Sequence, residues 1–168
     1  MRILGIDPGL SVTGYGIIEV RSNELRSLKY GGIRVQSKSD FSKKLFHIYN
    51  NLLEIIQKFE PDFCSIENIF YHQNKKTAII MGHARGVAIL AAAQHNLPVF
   101  EYSPREIKMS IVGVGAASKK QVQAMVKNIL HLPEIPIPED AADALAVALC
   151  HYHRLKFKQM VNRVSRES

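Results

Sequence analysis

The segment Arg2-Ile3-Leu4-Gly5-Ile6-Asp7 is apolar on both of its alternating faces until it reaches Asp7, and the chain then turns at once through Pro8-Gly9. A strand that is apolar on both faces belongs in the middle of a sheet, with cover above and below. The chain therefore has to fold around this segment, and Asp7 emerges at the carboxyl edge of the sheet. An Asp before Pro-Gly is also an ordinary turn former whose carboxylate bonds nearby backbone N–H groups. On its own Asp7 carries no functional assignment.

Residues 13–20 and 25–35 resume extended, β-branched character after short turns, which predicts an antiparallel meander with the first strand. From Phe41 to Phe59 the apolar residues Phe41, Leu45, Ile48, Leu52, Leu53, Ile55 and Ile56 recur at helical spacing, with Asp40 placed to cap the start and Pro61 to end it. A strand at 62–67, a helix at 75–95 rich in Ala, Ile and Gly, and a fifth strand at 98–102 follow. Helices are expected at 104–111 and 119–130, separated by Gly113-Val114-Gly115. After a Pro-rich linker at 133–138, a last helix runs from Glu139 to about Leu155. A meander followed by alternating helices and strands implies one α/β domain, a mixed sheet with helices on its faces.

The 168 residues are enough for one domain, and 46% of them are hydrophobic, enough for a real core. We place the domain at residues 1–153 and read 154–168 as a basic tail, disordered or in contact with nucleic acid. Arg154, Lys156, Lys158, Arg163 and Arg166 stand there against Glu167 alone. The chain has 22 Lys and Arg against 15 Asp and Glu, a net charge of +7, which points to an anionic partner. No stretch approaches the eighteen apolar residues of a membrane span, and the start does not read as a signal peptide, so a cytoplasmic protein is expected. Cys64 and Cys150 lie in hydrophobic segments without ligand spacing and read as reduced core thiols.

Against this basic background four acids stand where hydrophobic elements end or begin. Glu67 closes the strand 62–67, and if that strand runs parallel beside the first, Glu67 and Asp7 are neighbours at the edge where α/β sheets place their sites. Two such acids repel unless one protonates or a cation intervenes. Asp140 and Asp143 share one face of a helix start. The helix macrodipole accounts for Glu139 and Asp140. It accounts poorly for Asp143, which is embedded in Ala141, Ala142, Ala144, Leu145, Ala146, Val147 and Ala148 and needs a partner or a metal there. Two hard cations held by three or four carboxylates are a standard device for phosphodiester hydrolysis. No Walker loop, GxGxxG or Ser/His/Asp arrangement competes, and the seven histidines lack tight zinc-ligand spacing.

Beyond Glu67 the chain reads Asn68-Ile69-Phe70-Tyr71-His72-Gln73-Asn74-Lys75-Lys76, aromatics interleaved with amides and bases beside the proposed site. Such side chains stack on unpaired bases. Ser118 and Gln121 form a capping box, which puts Lys119 and Lys120 in a first helical turn where positive charge is disfavoured, so an anion is expected to compensate them. The helix 75–95 is apolar on more than one face, and its spare face, with Gly82 and Gly86, is a candidate dimer surface.

Taken in order, GIDPGLSVTGYG at 5–16, IENIF at 66–70, HARGVAI at 83–89 and EDAADALAVALCH at 139–151 resemble the RuvC-type Holliday junction resolvases of the ribonuclease H-like superfamily. The resemblance runs from Met1 to about His153. It implies a ribonuclease H-like five-stranded mixed sheet, three antiparallel strands then two parallel, flanked by helices. It also implies a homodimeric, Mg²⁺-dependent endonuclease that nicks four-way DNA junctions symmetrically in recombination and repair, beside a branch-migration motor. Two Mg²⁺ ions per subunit, replaceable by Mn²⁺, would be held by Asp7, Glu67, Asp140 and Asp143, with His standing at the position of Asp140 in some members. By the same resemblance Phe70 is a wedge at the junction, and Lys108 and Lys119 lie near the cut phosphate. Tyr71, Lys75, Lys76 and Lys120 complete the expected DNA contacts. The competing readings are a junction-binding adaptor without activity and a YqgF-like nuclease acting on another nucleic acid. An actin-like phosphotransferase would need a second domain.

Overall fold

The computed structural model describes residues 1–22, 24–36, 38–68 and 75–167, without the side chains of 75, 76, 166 and 167. Five strands form one sheet in the order β3-β2-β1-β4-β5. Strand β1 (Arg2–Asp7) is central, and Ile3, Leu4 and Ile6 are fully buried, as a strand apolar on both faces requires. It pairs antiparallel with β2 (Val12–Arg21), which pairs antiparallel with β3 (Glu24–Arg34). On its other side β1 runs parallel to β4 (Phe63–Glu67), which runs parallel to β5 (Val99–Tyr102).

Helices cover both faces. Helices α1 (Phe41–Phe59) and α2 (Lys75–Gln94) bury Ile48, Leu52, Ile56, Ala84, Ala88, Ala91 and Ala92 against Leu4, Ile6 and Ile66. On the opposite face lie α3 (Pro104–Val112), α4 (Lys119–Ile129) and α5 (Glu139–Glu167), with Leu145, Val147 and Leu149 packed on Ile3 and Ile18. Two details depart from expectation. Asp40 occupies the cap position of α1 but makes no cap hydrogen bond, because its carboxylate pairs with Lys43 at 3.0 Å instead. Helix α5 does not stop near Leu155 but continues to Glu167. No Pro or Gly interrupts 155–167, and Phe157, Met160, Val161 and Val164 keep helical spacing. Among the described residues no helix is long and apolar enough to cross a membrane.

The remaining polar residues follow from burial. Cys64 and Cys150 are free and buried, and burial pushes their thiols up to about 12 and about 11. His151 is buried, shares a 2.7 Å hydrogen bond between its Nδ1 and the Tyr102 hydroxyl, and is lowered to about 4 by burial. His153 meets the Ser110 hydroxyl at 3.1 Å. His151 is a core histidine and His153 a half-buried one held by α3.

Candidate active site

The register of the two parallel strands sets the first pair of acids. Ile6 lies opposite Ile66, so Asp7 and Glu67 occupy the next positions at the carboxyl ends of adjacent strands. The turn after Asp7 does not depend on its carboxylate. The buried Thr13 hydroxyl donates to the Gly9 carbonyl at 2.6 Å and accepts from the Gly9 N–H at 3.4 Å. The Asp7 backbone belongs to the ladder with Gly14, and among the described residues its carboxylate accepts no hydrogen bond, so the turn is held without it.

Asp140 and Asp143 arrive from above, on the first turns of α5, because the sheet beneath lacks side chains there. A Cβ at Gly14, the partner of Asp7 across β1 and β2, would lie 2.0 Å from the Asp140 carbonyl oxygen. One at Gly5 would lie 2.0 Å from the Ala144 carbonyl oxygen. These glycines let the helix backbone rest directly on the strands, a close approach only Gly allows. The smooth Ala-rich face, with Ala141, Ala144 and Ala148 buried, completes the fit from the helix side.

Four acids brought together this way act on one another. Burial, with the charges of Glu67, Asp143 and Asp140, pushes the Asp7 carboxyl up to about 8. Burial and the charge of Asp143 push Glu67 up to about 7. Asp143 is raised by burial, against the pull of Lys119. The described cation bonded to the cluster is the Lys119 ammonium, 2.8 Å from Asp143 Oδ2 and 3.2 Å from Glu139 Oε2. Burial lowers Lys119, but its hydrogen bonds to Asp143 and Glu139 outweigh that and hold it above the ordinary lysine value.

Lys119 is presented by the expected capping box. The Ser118 hydroxyl accepts from the Gln121 N–H at 3.3 Å, and the Gln121 side chain accepts from the Ser118 N–H at 2.8 Å. The anion expected to compensate this first-turn lysine is thus supplied by α5 itself. Lys119, Lys108, Glu67 and Asp143 line one cavity of about 220 Å³, floored by Ile107, Val122 and Ala146. Lys120 is exposed and makes no ion pair among the described residues. Phe70, Tyr71 and the side chains of Lys75 and Lys76 lie outside the described residues.

Among the described residues no three acids converge tightly enough to close around one ion as they stand. The donor set nonetheless fits a hard divalent cation. It offers carboxylate oxygens alone, and burial, with the charges of neighbouring acids, raises the carboxyls of Asp7 and Glu67, a condition that a bound cation relieves. Glu139 and Thr13 were missed by sequence reasoning. Glu139 was credited to the helix dipole, and Thr13 carried no signal beyond its place after the Pro-Gly turn.

A mixed sheet with this strand order, and with acids at the ends of its two central parallel strands and on the helix crossing them, is a ribonuclease H-like fold with an acidic site. The chain belongs to the crossover junction endodeoxyribonuclease RuvC family, whose model matches residues 3–151. It is 52% identical to that enzyme of Ruminiclostridium cellulolyticum over 151 residues, 90% of this chain and 91% of the relative. The Thermotoga petrophila enzyme is 50% identical over 151 residues, 90% of this chain and 92% of its own. Thermus thermophilus RuvC, solved in complex with a Holliday junction substrate, superposes with a TM-score of 0.89 at 31% identity, covering 94% of this chain and 96% of that one. The yeast mitochondrial Holliday junction resolvase Ydc2 shares the fold, with a TM-score of 0.68 at 14% identity.

Proposed function

We propose that this protein is a Mg²⁺-dependent endonuclease that resolves four-way DNA junctions by paired symmetric nicks, with Asp7, Glu67, Asp143 and Asp140 as its metal ligands. The observation that carries this reading is the pair of adjacent strand-end carboxyls, Asp7 and Glu67, pushed to about 8 and about 7 inside a basic protein. A site that buries neighbouring acids at such a cost in desolvation and charge repulsion is built for a cation. When bound, Mg²⁺ supplies an activated water and neutralises charge on the leaving oxygen.

The residues of the chain do the rest. Asp7, Glu67 and Asp143 would close on the ion from two strands and a helix, and Asp140 would add a fourth oxygen donor or orient the attacking water. Lys108 and Lys119 line the same cavity and face the phosphate. The water oxygen attacks phosphorus, the bond to the 3′ oxygen breaks, and the strand is left with a 5′ phosphate and a 3′ hydroxyl. Phe70 and Tyr71, just beyond Glu67, stack on bases unpaired at the junction centre. Phosphate contacts from Lys75, Lys76, Lys108, Lys119 and Lys120 make the affinity fall with salt.

Two symmetric cuts need two sites related by a two-fold axis, and α2 offers the surface. Its packed face is Ala84, Ala88, Ala91 and Ala92, while Ile79 and Leu90 are 63% and 58% exposed. A Cβ at Gly82 or Gly86 would meet nothing within 4 Å, so these glycines stand on the open face. With Leu45 and Val87 they line a shallow apolar groove suited to a second copy. The dimer would work in the cytoplasm beside a branch-migration motor, as the family resemblance implies.

A labelled synthetic junction incubated with the protein and Mg²⁺ tests the reading. Nicks at symmetric positions in two opposing strands are expected. A shifted but uncut junction would leave the adaptor reading standing instead.

A further inference from the structure

Helix α5 begins at the carboxylate edge of the sheet and crosses β1 and β2, so its far end leaves the domain at the opposite edge. There Leu155 and Gln159 face Met1 and Val20, beside the start of β1 and the end of β2, with the exposed Met160 at the rim. Beyond that edge the helix projects as an arm, about 25 Å of rise separating Met160 from Asp143. The arm is on the sheet face opposite α2, so neither the active site nor the proposed dimer surface uses it.

The arm is amphipathic in a particular way. Phe157, Met160 and Val161 are 67%, 60% and 46% exposed, and Val164 continues the same i, i+3, i+4, i+7 stripe. At 100° per residue this stripe is flanked by Lys156 and Arg163 on one side and by Arg154 and Lys158 on the other. Arg154 pairs with Glu106 at 2.7 Å, but no acid among the described residues pairs with Lys156, Lys158 or Arg163. The stripe runs into an open groove between α3 and α5, where Phe157 faces Met109, itself 49% exposed.

We propose that this arm is a docking helix for an acidic, amphipathic helical segment of another protein. A stripe at this spacing with charged flanks is the seam of a helix pair, and the flanking charge selects the partner. Two copies of the arm would set basic flank against basic flank, which disfavours self-pairing. DNA would use the bases but has no place for the apolar stripe, and the cut phosphate lies at the other end of the helix. An acidic helix with apolar residues at matching spacing satisfies both features at once.

The test uses the full-length protein and a fluorescent synthetic helix carrying Leu at i, i+3, i+4 and i+7 between Glu flanks. The expected result is saturable binding, at least roughly tenfold weaker for a scrambled peptide of the same composition and for Met160→Ser. Lys156→Glu combined with Arg163→Glu removes binding and restores it to a peptide with Lys flanks, and these exposed sites leave folding intact. Junction affinity and nicking stay unchanged in both variants. Absence of peptide binding, equal binding of the scrambled peptide, loss of junction affinity in the variants, or arm-dependent binding to anionic phosphatidylglycerol vesicles without peptide binding would each overturn the proposal.

Discussion

The Lys119 ammonium lies 2.8 Å from Asp143 and ties helix α4 to the carboxylate cluster of α5. Lys119→Met is therefore expected to lower single-turnover nicking by roughly 10²-fold, the usual loss when one charged contact to a reacting phosphate is removed. Junction affinity falls far less, and the slope of its salt dependence drops by about one. Comparing nicking with binding across a salt series separates the two effects.

Burial, with the charges of neighbouring acids, pushes the Asp7 carboxyl up to about 8 and the Glu67 carboxyl up to about 7, from 3.8 and 4.5 for the free groups. Both are raised, so their contribution to stability is fully present below about pH 4 and is lost as pH rises through the folded values. Asp7→Asn removes the larger share. The variant is expected to match the metal-free wild type near pH 4 and to exceed it by on the order of 1–3 kcal/mol at pH 8, a shift of one unit being worth about 1.4 kcal/mol before screening. Denaturant melts in chelator at a series of pH values measure the difference, and Mg²⁺ should narrow it at pH 8 by stabilising the wild type.

Gly14 is where α5 rests on β2, its would-be Cβ 2.0 Å from the Asp140 carbonyl oxygen. Gly14→Ala forces the helix start away from Asp7. A loss of about 1–3 kcal/mol in stability is expected, with a fall in nicking of roughly 10²-fold from misplaced ligands. Denaturant unfolding read beside the nicking rate checks both.

Leu90 is exposed on the open face of α2. Leu90→Glu should leave each subunit folded while turning the proposed dimer into monomers, because a charge buried at an apolar contact between copies is costly. Sedimentation velocity with circular dichroism checks this, and nicking should become uncoupled, one strand at a time.

Much of this was legible in the sequence because it rests on local signals. The two-faced apolarity of 2–7 placed β1 at the centre, and the Ser118–Gln121 capping box set the start of α4 to the residue. Asp143 stood out because a dipole cannot explain an acid inside an Ala-rich face, and the structure gives it a partner in Lys119. What depended on three-dimensional approach was not legible. Gly5 and Gly14 look like strand residues of poor propensity until α5 is laid across them. Glu139 reads as a helix-start acid until α4 brings Lys119 within 3.2 Å. Asp40 was read as a cap because its position allows it, yet the nearby Lys43 draws its carboxylate away. Helix α5 runs past the expected end near Leu155, as Phe157, Met160, Val161 and Val164 keep helical spacing within the run of bases.

The proposed role of Asp7 as a ligand of the cutting metal is separable from junction recognition. Asp7→Asn on a labelled mobile four-way junction in Mg²⁺, with binding and nucleotide-resolution cleavage read from the same samples, separates the two. Junction binding like that of the wild type and no nicks are expected, where the wild type gives paired symmetric cuts. Full cleavage by Asp7→Asn, at the same positions, would rule out Asp7 as a ligand of the cutting metal.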